Sequence, residues 1–326
     1  IIGLKNSALN KEKRIYDGTN YALVKNISPY LTDTSNDVVY GTSSPLFLKV
    51  HMSFGNMPND GGGLVVSLDQ YAEFKNEGSD QFLKKYIGSR ELINSTYRYC
   101  IWLPYESKNS IVKEALNFST IKKGVEVSLN HRTESKDKGA NKLAKFPWKF
   151  RDTRSSNNST LIIPRVSSEN RLYVPMNIFD SDVVAADSTM AVYDAPLWLL
   201  GLLESRMHMT WLRAVGGRLK TDYRYSASLV YNTFPVPNLS TRRKNEIEEL
   251  VWKVLDIRDE EGGTLAELYG SPLAEKNPKP MNPRLLTAHQ ELDEVVDRAY
   301  RDRPFKDDNE RLSLLLNMYS QKTKGE

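Results

Sequence analysis

Nine consecutive residues, Arg218-Leu219-Lys220-Thr221-Asp222-Tyr223-Arg224-Tyr225-Ser226, carry the charge pattern with the most chemistry in it. Read as an extended segment, Lys220, Asp222 and Arg224 share one face, because strand side chains alternate with period two. A Lys donor beside an Asp acceptor has two readings at this point. One is a surface ion pair worth under about 1 kcal/mol. The other is a base-pair reader. In the major groove guanine presents two acceptors and its partner cytosine one amino donor, so Lys220 would take the guanine and Asp222 the cytosine.

A second cluster is basic. Between Lys122 and Arg154 ten Lys and Arg residues face four acids, a net of +6 in 33 residues, with Phe146, Trp148 and Phe150 interleaved. A solvated helix followed by an aromatic core anchor explains this. So does a phosphate-contacting face, in which Lys122 and Lys123 release counterions and binding weakens with salt.

Other chemistry is hard to assemble. No G-x-G-x-x-G, Walker A loop, H-E-x-x-H or G-x-S-x-G is present. The glycine cluster Gly61-Gly62-Gly63 lacks the lysine of a phosphate loop, and His51, His131, His208 and His289 lie far apart. Cys100 sits in an aromatic run, where a small buried hydrophobe is the expected role.

The elements that must position these residues are legible in outline. Extended pieces are expected at Arg14–Tyr16 and Tyr21–Asn26, and strands at Ile1–Leu4, Pro45–Phe54, Leu64–Val66 and Arg98–Leu103. Ser67 predicts the cap of a helix to Asn76, and Asp80–Tyr86 a second short helix. Helices are expected over Asn109–Phe118 and parts of Ile121–Lys145, then strands at Leu161–Val166, Arg171–Val174 and Ala191–Asp194. Pro196 opens a helix predicted to run from Ala195 to Val215, closed by Gly216-Gly217. After Pro235 and Pro237, Ser240 or Thr241 caps a helix to about Asp259, followed by helices at Pro283–Tyr300 and Asp307–Tyr319. The reading is α+β: a mixed α/β body followed by an acidic helical appendix.

Composition bounds the rest. The chain has 326 residues, 45 basic and 41 acidic side chains, and one cysteine. From Arg242 onward there are 15 basic and 18 acidic residues, which leaves 30 and 23 in the first 241. The first part is therefore the polyanion-facing candidate. The longest apolar run, around Ala195–Leu203, is broken by Pro196 and Gly201 and is too short for a membrane span. A lone cysteine suits a reducing, cytoplasmic setting. The opening Ile1-Ile2-Gly3-Leu4, without an initiator Met or leader, reads as part of a longer polypeptide.

Seven words in order then carry a resemblance. They are Phe54-Gly55-Asn56-Met57-Pro58-Asn59-Asp60-Gly61-Gly62, Tyr86-Ile87-Gly88-Ser89, Tyr99-Cys100-Ile101-Trp102-Leu103, Ile163-Pro164-Arg165-Val166-Ser167-Ser168-Glu169, Ser205-Arg206-Met207-His208-Met209, Gly217-Arg218-Leu219-Lys220 and Tyr231-Asn232-Thr233-Phe234-Pro235. The chain resembles the C-terminal part of MmeI-like type IIG/IIL restriction–modification DNA adenine methyltransferases. In that family a nuclease, a helical connector and an S-adenosylmethionine-dependent adenine methyltransferase precede a target recognition domain and a C-terminal helical region.

The resemblance implies residues 1–26 as the tail of the methyltransferase domain or a linker, 27–238 as the target recognition domain and 239–326 as the helical subdomain. It implies a sequence-specific double-stranded DNA recognition module that lacks the catalytic domains and is no enzyme itself. The parent would methylate adenine and cut DNA, using S-adenosylmethionine and Mg. This fragment would hold no cofactor and no metal, and its Asn282-Pro283-Arg284 lacks the second proline and the base-stacking aromatic of the family's catalytic motif. Partners would be double-stranded DNA and the parent's own methyltransferase domain, with no membrane. The alternative is a structural docking module that packs on the methyltransferase and nuclease domains without reading bases.

Because specificity in the family varies after Gly-Arg-Leu, the resemblance places Lys220, Asp222 and Arg224 at base contacts. Arg165, Ser167 and Ser168, with Arg218, Thr221, Lys122 and Lys123, are the expected backbone or base contacts. The Gly55–Gly63 loop is assigned to architecture, such as packing on the methyltransferase domain.

Overall fold

A computed structural model describes residues 12–17, 19–34, 38–104 and 110–325. The strand expected at Ile1–Leu4 and the start of the helix expected at Asn109 lie outside the described residues. The described residues form four sheets and eleven α-helices.

The first sheet is a hairpin, β1 (Lys13–Asp17) with β2 (Asn20–Val24). The second has the order β10 (Val183–Ala185), β5 (Leu83–Ile87), β6 (Arg98–Ile101), β4 (Val65–Val66), with only β10–β5 parallel. The third is antiparallel: β3 (Ser53–Phe54), β11 (Thr189–Tyr193), β7 (Ser159–Pro164), β9 (Asn177–Asp180). The fourth joins β12 (Gly217–Leu219), β13 (Asp222–Arg224) and β8 (Val166–Ser167), also antiparallel.

Two cores result. The smaller lies between the second sheet and helices α1 (Leu68–Glu77), α3 (Ser110–Ala115) and α4 (Ser119–Glu134), with Trp148 and Phe150 beyond α5 (Lys138–Leu143). Helix α1 starts where Ser67 and Gln70 form a reciprocal cap and stops at Gly78, whose φ of 78° suits glycine. The larger core holds the third sheet, α6 (Leu197–Leu203) and α7 (Arg206–Val215). It continues without a break into α8 (Thr241–Glu261), α9 (Leu265–Tyr269), α10 (Pro283–Tyr300) and α11 (Asp308–Lys324). The acidic tail is therefore no appendix. A side chain at Gly201 of α6 would meet Ile247 Cγ2 at 2.5 Å, so the α6 backbone packs directly on the side chains of α8.

Several expectations are corrected. The predicted helix from Ala195 to Val215 is two helices. Ser205 caps α7 through the His208 N–H, and buried Glu204 turns inward to accept from Arg258 at 2.7 Å and from the Met176 N–H at 2.9 Å. Asp80–Phe82 is a single 3₁₀ turn that feeds β5, not a helix to Tyr86. Of Pro45–Phe54 only Ser53–Phe54 is strand, and Arg171–Val174 is none. Strands β9 and β10 and helices α2 (Ser89–Ile93) and α9 were not expected.

Candidate nucleic-acid interface

The segment after α7 is a hairpin, not one extended face. Leu219 pairs with Asp222, Arg218 with Tyr223 and Gly217 with Arg224, which leaves Lys220 and Thr221 as a two-residue turn. Lys220 has φ 57°, a left-handed conformation unusual for Lys, so the period-two alternation stops before it. Residues paired across two strands share a face. Asp222 and Arg224 thus lie on one face with Leu219, while Arg218 and Tyr223 lie on the other. Lys220 caps the ribbon at its tip.

Buried tyrosines hold the ribbon in place. Tyr223 faces inward opposite Ser167, and Tyr225 is buried with its hydroxyl 2.8 Å from His208 Nε2 on α7. The Tyr225 N–H donates to the Arg165 carbonyl at 2.8 Å, continuing the sheet past β8. The Arg218 guanidinium lies 4.1 Å from the centre of the Tyr223 ring, donates to the Thr221 carbonyl at 3.1 Å and pairs with Glu169 at 3.7 Å. Arg218 therefore braces the turn from behind.

Lys220, Thr221 and Arg224 are exposed, and Asp222 is half-buried. Neither Lys220 nor Arg224 makes a side-chain hydrogen bond or ion pair with another described residue. Asp222 has an electrostatic neighbour that sequence reasoning missed. Arg171 is half-buried, its Nε has no hydrogen-bond partner among the described residues, and burial lowers its pKa while Asp222 pulls it back up. The tip thus presents a free ammonium, a carboxylate steadied from behind and a free guanidinium.

The expected contacts on the neighbouring strand separate. Arg165 is half-buried, donates to the Asp187 carbonyl at 3.0 Å and lies 4.9 Å over the Phe54 ring. Ser167 is a correction: at 4 % exposure its hydroxyl is sealed and has no hydrogen-bond partner among the described residues, so it offers DNA no accessible group. Ser168 stays half-exposed, and its hydroxyl accepts from the Asn170 N–H at 3.3 Å.

The basic stretch also divides. Lys122 and Lys123 are exposed on α4, as are Lys136, Lys138, Lys142 and Lys145 beyond it. Arg132, counted with them in the sequence, is fully buried. Its guanidinium donates to the carbonyls of Pro58, Asn59, Leu143, Phe146 and Lys149 at 2.7–3.4 Å. Phe150 is buried, and Trp148, also in the core, donates to the Pro104 carbonyl at 3.2 Å. The interleaved aromatics are core anchors.

The Gly55–Gly63 loop is held within this chain. A Cβ at Gly55 would lie 2.0 Å from the Ala186 carbonyl oxygen, and one at Gly63 would lie 2.2 Å from that of Gly124. Asn56 is buried and exchanges hydrogen bonds with the Arg154 backbone at 2.7 and 2.8 Å. Phe54, at the mouth of this loop, is 52 % exposed.

Of the candidate nucleophiles and bases, Cys100, His208 and His289 lie inside, while His51 and His131 are exposed. Cys100 is buried and its thiol pKa is pushed up by burial. His208 and His289 are buried and burial lowers both to about 3. Among the described residues no group of three His, Cys, Asp or Glu side chains could hold a metal ion, and no helix is long and apolar enough to cross a membrane. Asn282 caps α10 by accepting from Arg284 N–H at 3.0 Å and Leu285 N–H at 3.1 Å, with Pro283 in the first turn. That is a helix start, not a methylation motif.

Comparison with known proteins places this architecture. The chain is 48 % identical over 325 residues to DNA methyltransferase A of Bacillus subtilis (strain 168), covering 99 % of this chain and 36 % of that protein. It is similar to a solved structure of the type IIL restriction-modification enzyme MmeI in complex with DNA, with a TM-score of 0.83 and 32 % identity over 97 % of this chain and 42 % of that one. The chain thus spans 36 % and 42 % of these relatives' lengths. The family described as MmeI, target recognition domain, matches residues 33–238, and MmeI, C-terminal domain, matches 239–325. On this coverage the chain belongs to the MmeI family, whose target recognition and C-terminal domains it carries.

Proposed function

We propose that this chain is the sequence-specific double-stranded DNA recognition module of a type II restriction–modification adenine methyltransferase and endonuclease. The observation that carries the reading is the β12–β13 ribbon. It projects Lys220 and Arg224 unpaired, with Asp222 beside them, from a base locked by Tyr223 and Tyr225.

A two-stranded ribbon fits the major groove, which is about 12 Å wide. There Lys220 donates to guanine acceptors, Asp222 accepts from a cytosine amino group, and Arg224 is the third candidate for a base edge. Thr221, Arg165 and Ser168 lie close enough in the fold to assist at the backbone, and Lys122 and Lys123 supply phosphate contacts that carry no sequence information. The domain division at residues 26 and 238 describes roles, since one core runs through 238.

In this reading the chain contributes no catalytic group. Methylation and cleavage belong to the rest of the parent, which would bring S-adenosylmethionine and Mg and act on an adenine that must leave the base stack. In this reading Asn282 takes no part in methylation, being engaged as a helix cap. The setting is the cytoplasm, where the DNA is.

The test is titration of a random-sequence duplex pool with the 326-residue chain at low and at physiological salt, followed by sequencing of the retained fraction. The reading expects binding at low salt, weaker binding at physiological salt, and an enriched motif. Absence of binding at both salts overturns it in favour of a module that only docks on the methyltransferase and nuclease domains.

A further inference from the structure

Beside the hairpin lies a surface that the base-reading account leaves unused. Phe54 ends β3 at the edge of the third sheet and points its ring into solvent, 52 % exposed. A single exposed aromatic is ordinary. The setting of this one is not.

Its backbone is pinned from several sides. The Gly55 N–H donates to the Thr189 carbonyl at 3.1 Å, and the Asn56 N–H to the Ala185 carbonyl at 2.6 Å. The Tyr86 hydroxyl donates to the Asn56 carbonyl at 2.8 Å. No side chain fits at Gly55 against Ala186, so the backbone cannot be replaced there by a bulkier residue without moving. The ring therefore stands on a rigid base.

Cations surround it. The Arg165 guanidinium lies 4.9 Å from the ring centre, and Arg154 donates to the Phe54 carbonyl at 3.4 Å. Arg151 reaches the Met57 sulfur at 3.5 Å. Asp152 pairs with Arg154 at 3.4 Å and Arg151 at 4.0 Å, and so answers part of that charge. Arg151 and Arg154 remain exposed.

The patch is tied to the reader. Arg165 receives the Tyr225 N–H, and the next residue, Val166, pairs with Arg224. Asp222 to Tyr225 is three strand residues, roughly 10 Å at 3.3 Å per residue. With base pairs about 3.4 Å apart, Phe54 lies closer to the ribbon tip than the length of one helical turn, roughly 34 Å.

We propose that Phe54, backed by Arg165, is a stacking platform for an unpaired nucleobase of the bound duplex, with Arg154 and Arg151 on the flanking phosphates. This rests on the DNA-recognition reading above. An adenine that leaves the stack orphans its partner base, and an exposed aromatic face accepts any base because every base has a π-face.

The probe is a mixed-sequence duplex with one unpaired 2-aminopurine, compared with the same duplex fully paired, each titrated with the 326-residue chain. The bulged duplex is expected to bind roughly tenfold tighter, with 2-aminopurine emission falling as the base stacks. Phe54→Leu brings the bulged-to-paired affinity ratio to unity and abolishes the emission change; Phe54→Trp keeps both. Replacing Lys122 and Lys123 by Gln weakens both duplexes together at a preserved ratio. A wild-type ratio of one, or a ratio kept by Phe54→Leu, overturns the stacking role while leaving duplex recognition intact. Binding to neither duplex overturns both readings.

Discussion

The Tyr225 hydroxyl stands 2.8 Å from Nε2 of His208, and both side chains are buried. This contact joins the β12–β13 ribbon to α7 and through it to the larger core. His208 Nδ1 has no hydrogen-bond partner among the described residues, and burial holds the ring neutral, with a pKa near 3. Tyr225→Phe leaves a buried imidazole with no partner on either nitrogen. The expected loss is about 1–3 kcal/mol, read as a lower urea midpoint. Faster amide exchange should accompany it through residues 217–224. An unchanged midpoint with unchanged exchange would show that the tyrosine ring's packing alone seats the ribbon.

Base readout and backbone attraction separate at Lys220. If its ammonium reads a base edge, Lys220→Ala costs about 1–3 kcal/mol on the selected duplex and little on random sequence. A pure phosphate contact would weaken both alike. Competition binding against a random-sequence duplex distinguishes these, and equal losses would remove Lys220 from base readout.

The protonation of Asp293 gives a pH signature. Its oxygens accept from the Tyr173 hydroxyl at 2.7 Å and the Arg206 N–H at 2.6 Å, and burial raises its pKa from 3.8 to about 7. Between about pH 4 and 7 the folded chain holds a proton here that the unfolded chain releases. Stability from this group is therefore full below 3.8 and lost as pH rises to 7. Asp293→Asn, a neutral isostere, removes that loss. Urea midpoints of variant and wild type should diverge in the variant's favour from pH 4 to 7 and run parallel above. A constant difference across that range would mean that Asp293 is ionised throughout.

Local signals in the sequence survived folding, and tertiary ones did not show. Ser67, Ser205, Ser240 and Asn282 all cap helices through their own side chains. Three of those starts were legible because a cap needs only its next three residues. Ser205 was overlooked inside an apolar run whose buried break depends on Arg258, far along the chain. Val183–Ala185 carries no alternation because it is buried on both faces beside a parallel partner. The hairpin turn lacks glycine: Lys220 itself takes the left-handed φ, so nothing marked a reversal between Leu219 and Asp222. Phe54 and Arg171 are distant in sequence from the residues they serve, and only the folded chain brings them together.

Arg132 shows how far a charge count can mislead. Its fork reaches five carbonyls on two segments, clamping the Pro58–Asn59 loop to the Leu143–Lys149 turn. A lysine keeps the charge but has three donors on one atom and cannot span both segments. Arg132→Lys should lower stability by at least about 2 kcal/mol, because it strands several buried carbonyls. The same variant should leave the salt dependence of DNA binding unaltered. A near-native urea midpoint would contradict the clamp.

Lys122 and Lys123 are the opposite case, exposed on α4 and thus free to meet phosphates. Each phosphate contact on duplex DNA contributes about −0.9 to the slope of log affinity against log salt, because neutralising it releases condensed counterion. Replacing both by Gln should therefore flatten the slope by up to about 2, and weaken selected and random duplexes equally. The motif retained from a random pool should not change, since backbone contacts set position and not sequence. If the slope stays as in wild type, α4 faces away from the DNA. The polyanion-facing surface would then contract to the ribbon and the arginines around Phe54.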